Sequence, residues 1–104
     1  MTSESERHLE EAFGGESQAN RKYFAFVQAA DKEGHPQMAR LLRAAAEAAA
    51  VHARMYQELL DRLGQSGETY PYYVCPVCGY TSAREAPDTC PVCGARGKVF
   101  RKID

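Results

Sequence analysis

Four cysteines in the last third of the chain restrict what it can become more than any other feature. Cys75, Cys78, Cys90 and Cys93 lie in YYVCPVCGYTSAREAPDTCPVCGARGKVF, as two Cys-Pro-x-Cys-Gly units with eleven residues between Cys78 and Cys90. Two such pairs make a tetrahedral site of four sulfurs. Gly79 and Gly94 follow the second cysteine of each pair, where glycine permits the left-handed turn that aims backbone N–H groups at sulfur. Tyr72, Tyr73, Tyr80 and Phe100 supply a small aromatic core. A segment this short buries too little surface to fold alone, so a bound metal is part of its folding free energy. Spacing by itself admits zinc, as a structural ribbon, or iron, as a one-electron carrier.

The rest of the chain is of a different kind. From about Glu4 to Leu63 helix formers dominate and apolar residues follow a helical period. The run Lys32–Pro36 (KEGHP) interrupts it: Gly34 suits a helix C-terminus and Pro36 the first turn of the next helix. Two helices, roughly Ser5–Glu33 and Pro36–Leu63, are expected as an antiparallel hairpin. GQSGETYP, with two glycines, a serine and a proline, reads as a linker. The expected organisation is a helical hairpin over 1–63, a linker over 64–71 and a four-cysteine metal domain over 72–104.

The expected inward stripe of the first helix is Leu9, Phe13, Glu16, Asn20, Tyr23, Val27 and Ala30. That of the second is Met38, Leu41, Leu42, Ala45, Ala49, His52, Tyr56, Leu59 and Leu63. Glu16 and His52 thus fall on apolar faces. Glu16 lies about 27 Å from the turn and His52 about 26 Å, at about 1.5 Å per residue. In an antiparallel hairpin they meet at one level, where a carboxylate and an imidazole need a shared proton or metal ion. Each helix has a wide apolar face that one partner does not cover. The expected fold class is therefore α plus a small metal-bound β module, with the hairpin completing a four-helix bundle by dimerisation. A homo-oligomer, at least a dimer, follows.

Composition excludes some partners. The formal net charge is −1 at pH 7, so there is no bulk electrostatic case for nucleic acid or membrane surfaces. No apolar run approaches the roughly 20 residues of a membrane span, and the polar start MTSESERHLE does not read as a signal peptide. The cytoplasm is the expected compartment, which also favours metal over disulfides for the cysteines. Arg96, Lys98, Arg101 and Lys102 form a basic patch read as a solvated face.

Taken together, EAFGGESQANRKYFAF, EGHPQMARLLRAAAEAAAVHA and YYVCPVCGYTSAREAPDTCPVCGA resemble the rubrerythrin family over about Leu9 to Phe100. The resemblance implies a ferritin-like helical part followed by a rubredoxin-like domain. It implies iron at the four cysteines, with zinc as a substitute, and a second iron site in the bundle. It also implies a redox protein donating electrons and reduction of hydrogen peroxide, with Glu16 and His52 as catalytic and metal-ligating side chains. Two departures stand out. Family bundles carry four helices in one chain, and this chain has one hairpin. The family's second helix carries Glu-x-x-His, and here the glutamate position before His52 is Ala49. Two copies of Glu16 and His52 give four donor side chains, enough for one metal with water but few for two irons. The alternative function is an electron-carrier or metal-binding module with a degenerate, metal-free bundle.

Overall fold

A computed structural model describes residues 3–63 and 67–104. Gly64, Gln65 and Ser66, the start of the expected linker, lie outside the described residues. Helix α1 spans Glu4–Lys32 and α2 spans Pro36–Asp61. The Ser3 side chain caps α1 by accepting from the Glu6 N–H at 3.1 Å, and Glu4 and Glu6 place negative charge on its positive end. The turn is made as its residues require. Gly34 takes φ +78°, the His35 N–H donates to the Ala30 carbonyl at 2.8 Å, and Pro36 opens α2.

The α1 stripe is the one its periodicity predicts, with Val27 and Ala30 buried and Leu9, Phe13, Glu16, Asn20 and Tyr23 half-buried. The α2 seam differs. Its buried residues include Ala39, Ala46, Ala49 and Ala53, which with half-buried Leu42 recur at spacings of three and four. Met38 and Leu41, expected inside, are 60% and 64% exposed, and Leu63 is exposed too. The physical reason is steric. A ridge of alanines lets two helices approach at the short end of the 8–10 Å range, and larger side chains are displaced to the flank. Asn20 exploits the proximity by donating its amide to the Ala46 carbonyl of α2 at 2.8 Å.

Beyond the hairpin, β1 (Tyr72–Val74), β2 (Thr81–Ala83) and β3 (Arg101–Ile103) form an antiparallel sheet in the order β2-β1-β3, with a short 3-10 turn at Gly97–Val99 before β3. Tyr72 pairs with Ala83 on one side and Ile103 on the other. Gly97 donates to the Asp88 carbonyl at 2.8 Å, and a Cβ there would collide with the Pro87 carbonyl. The sheet packs on α2 through β2. A polar strap helps to hold it: Arg62 donates to the Tyr70 hydroxyl at 2.9 Å, and Arg84 lies over the Tyr70 ring while pairing with Glu68 at 2.7 Å. Arg96, Lys98, Arg101 and Lys102 are exposed. No described helix is long and apolar enough to cross a membrane.

Candidate metal centre and its link to the helices

The two cysteine knuckles are built alike. In the first, Cys75 N–H donates to the Tyr80 carbonyl at 2.8 Å and Gly79 N–H to the Cys75 carbonyl at 2.9 Å. In the second, Cys90 N–H donates to the Ala95 carbonyl at 2.8 Å and Gly94 N–H to the Cys90 carbonyl at 3.0 Å. Both turns close through a glycine in the left-handed region, φ +87° at Gly79 and +82° at Gly94. The result is four sulfurs all within 4.8 Å of one another. Cys75–Cys93 and Cys78–Cys90 are 3.5 and 3.7 Å apart. A tetrahedral tetrathiolate with metal–sulfur bonds of about 2.3 Å needs sulfur–sulfur separations of about 3.8 Å. The donor set therefore fits one tetrahedral ion. The sulfurs are too far apart for disulfides, whose S–S bond is about 2 Å, and all four cysteines are free.

Electrostatics point the same way. Burial opposes ionisation of Cys75, but the backbone N–H groups of Cys78 and Val77, with the neighbouring thiols, outweigh it and bring that thiol down to about 7. Burial pushes Cys78 up, and the other cysteines push it further, although the Tyr80 backbone N–H bonds to its sulfur and works against them. Cys93 is raised by burial and by Cys75 and Cys90, against the Ala95 N–H. The Cys75 thiolate forms easily, while Cys78 and Cys93 are held back by burial and by neighbouring thiols. A cation at the centre removes that conflict.

The hairpin's candidate side chains meet at the edge of this module. Glu16 on α1 and His52 on α2 are within hydrogen-bond distance, Oε1 to Nδ1 at 2.9 Å. On its other side, His52 Nε2 lies 2.6 Å from the Gly79 carbonyl and 3.0 Å from Thr81 Oγ1. A carbonyl only accepts, so Nε2 carries a proton and donates. The Thr81 hydroxyl donates to the same carbonyl at 3.2 Å. His52 therefore joins the α1 carboxylate to the first cysteine knuckle. Beside it opens a mostly apolar cleft of about 320 Å³, walled by Met55, Tyr56, Leu59, Tyr72, Val74 and Ile103, with Glu16, His52 and Thr81 as its polar part.

Helical periodicity and matched height bring Glu16 and His52 together on paper, and the structure does so in space. Sequence reasoning missed Gly79 and Thr81 as partners of the imidazole. Periodicity within a helix carries no signal for contact with a segment 27 residues away, and only the glycine in the knuckle hinted at close approach. Ala49 is buried at 3% exposure, one turn before His52, and Asn20 is engaged with Ala46. Neither supplies a ligand. Among the described residues the hairpin offers two donors in this region, Glu16 and His52, which do not fit a pair of metal ions.

A helical hairpin carrying a four-thiolate, three-stranded module is a two-part metalloprotein of the rubredoxin-bearing class. The family model for rubrerythrin matches residues 7–86, and that for the rubrerythrin rubredoxin-like domain matches residues 73–101. The chain belongs to the rubrerythrin family. It is 28% identical over 97 residues to rubrerythrin-2 of Clostridium acetobutylicum, covering 90% of this chain and 53% of that protein. It is 33% identical over 97 residues to nigerythrin of Nitratidesulfovibrio vulgaris, covering 93% of this chain and 45% of the relative. The fully reduced, all-ferrous structure of nigerythrin superposes with a TM-score of 0.88 at 25% identity, over 96% of this chain and 50% of that one. The chain spans about half the length of these relatives.

Proposed function

We propose that the protein is an iron redox protein in which one electron at a time enters at Cys75, Cys78, Cys90 and Cys93 and leaves across His52 toward the cleft beside Glu16. The observation that carries this reading is the continuous contact from the first knuckle, through the Gly79 carbonyl and the His52 ring, to the Glu16 carboxylate. Iron is preferred to zinc because the family match extends over both parts of the chain. Iron supplies a one-electron couple there, and zinc has none.

The proposed final acceptor is hydrogen peroxide, whose reduction to two waters takes two electrons and two protons. Its proposed place is the Glu16–His52 region of a dimer, where a second copy supplies a second carboxylate and a second imidazole. A dimer is supported by shape. The Cα extents of 49 × 34 × 15 Å describe a single layer of helices, and a layer buries its apolar face only against another. Phe24, Phe26, Met38 and Leu41 are exposed on the two helices. The electron donor is proposed to be a separate redox protein, and the cytoplasm, where thiols stay reduced, the compartment.

A second reading, an electron carrier with a metal-free bundle, draws support from the same contact. Both ring nitrogens of His52 already have protein partners, and Ala49 stands where the family's glutamate would be. One set of measurements separates the readings: metal per chain, the visible spectrum and peroxide turnover by the full chain with an artificial one-electron donor. The leading reading expects a ferric tetrathiolate spectrum, more than one metal per chain and turnover that fails in His52→Ala. One metal per chain and no turnover would leave the carrier, and zinc alone would end the redox reading and leave a metal-binding module.

A further inference from the structure

We infer that His52, besides joining the two parts of the chain, sets the reduction potential of the four-cysteine iron by polarising the peptide group between Gly79 and Tyr80. This rests on the reading of that site as iron. The residues involved form one hydrogen-bonded line. The Glu16 carboxylate meets His52 Nδ1 at 2.9 Å, and His52 Nε2–H donates to the Gly79 carbonyl at 2.6 Å. The N–H of that same peptide group belongs to Tyr80, and the left-handed turn at Gly79, φ +87°, directs it toward the Cys78 sulfur, whose ionisation it favours. A peptide group is conjugated, so a donor on its oxygen draws electron density from its nitrogen and makes its N–H a stronger donor. The imidazole thus acts on the sulfur without touching it.

The two knuckles differ in this respect although their turns match. The equivalent peptide of the second knuckle joins Gly94 to Ala95, and the turn at Gly94, φ +82°, directs the Ala95 N–H toward Cys93. Gly94 and Cys93 face solvent, whereas a Cβ on Gly79 would sit 3.9 Å from the His52 ring. The helices therefore reach one half of a nearly symmetric site. Thr81 reinforces them there, its hydroxyl donating to the same Gly79 carbonyl at 3.2 Å.

The direction of the effect follows from charge. Iron held by the four cysteines would supply a ferric/ferrous couple, and one electron from an external donor would break no bond and would place one more negative charge over the sulfurs. N–H···S bonds strengthen with that charge and favour the reduced form, and hydrogen bonds to sulfur are among the levers that set such potentials. His52 therefore raises the potential, and its loss lowers it. Anything that changes the charge on the ring at its Glu16 side alters the donor on the Gly79 side, so the state of the helical site is felt at the cysteines.

The test is a mediated potentiometric titration of the full chain loaded with iron. His52→Leu is expected to shift the potential downward. His52→Gln, whose amide N–H can replace the Nε2–H, is expected to return it toward the wild-type value. Thr81→Val is expected to shift it downward by less, and Thr81→Ser to leave it in place. A His52→Leu potential equal to wild type, with the tetrathiolate spectrum intact, would overturn the inference. So would equal shifts in His52→Leu and His52→Gln, which would reduce His52 to a packing residue. Should His52→Leu fail to take up iron, the threonine pair decides, and an unmoved Thr81→Val sinks the idea. A wild-type chain with no iron couple at all would instead refute the reading of the cysteine site, and this inference with it.

Discussion

Asn20 and Ala49 show how much rests on single side chains in the α1–α2 seam. Asn20 points its amide at the Ala46 carbonyl of the opposite helix, a half-buried hydrogen bond. Asn20→Ala is expected to lower stability by about 1 kcal/mol, the ordinary net worth of such a bond, as read by urea denaturation. Ala49 is buried one turn before His52. Ala49→Glu is expected to raise metal content per chain above wild type, because it restores a carboxylate beside the imidazole. In metal-free protein the same change should lower the melting temperature, because it buries a charge without a partner. Elemental analysis and thermal unfolding of metal-loaded and metal-free forms check both halves. At this scale the candidate site was half legible in the sequence. Glu16 and His52 follow from helical period and equal height. The Gly79 carbonyl and Thr81 do not, because a backbone acceptor has no residue-type signature and its approach depends on how the module docks.

Between the helices, size decides the contact. Ala39, Ala46, Ala49 and Ala53 line the α2 side, and the larger Met38 and Leu41 lie exposed. Hydrophobic periodicity located both helices and their turn but ranked large residues above alanine when choosing the inner face. That ranking misjudges a seam whose stability comes from close approach. Ala46→Leu is expected to cost about 1–3 kcal/mol, the range for overpacking, measured as a drop in the denaturation midpoint at unchanged slope. In the module the sequence was more transparent. Both knuckles, their glycines and the fourfold sulfur site follow from Cys-x-x-Cys-Gly alone, because the local turn geometry is the same wherever those residues occur.

For the whole molecule, two weaknesses have the same origin. Neither part buries enough by itself. The largest fully buried side chain among the described residues is a cysteine, Cys75. Removal of metal by a strong chelator is expected to unfold residues 72–104 and leave helix α1 and most of α2 formed, seen as lost tyrosine near-UV signal with helical far-UV signal retained. The whole chain measures only 15 Å along its shortest Cα axis, so the hairpin is one layer with apolar side chains exposed on it. If the proposed dimer forms through that face, Leu41→Glu, on the exposed flank of α2, is expected to turn it into a monomer in sedimentation. An unchanged mass would place the interface elsewhere.

By itself the sequence determined everything that local chemistry specifies: two helices and the break at Gly34, the knuckles that bring four sulfurs together, and the heights that align Glu16 with His52. Which α2 face meets α1, and that the module rests against His52 through Gly79 and Thr81, were settled only in the packed molecule. Those choices depend on how closely surfaces approach once all side chains are present. Period and spacing describe a chain one element at a time and carry no information about the gap between elements.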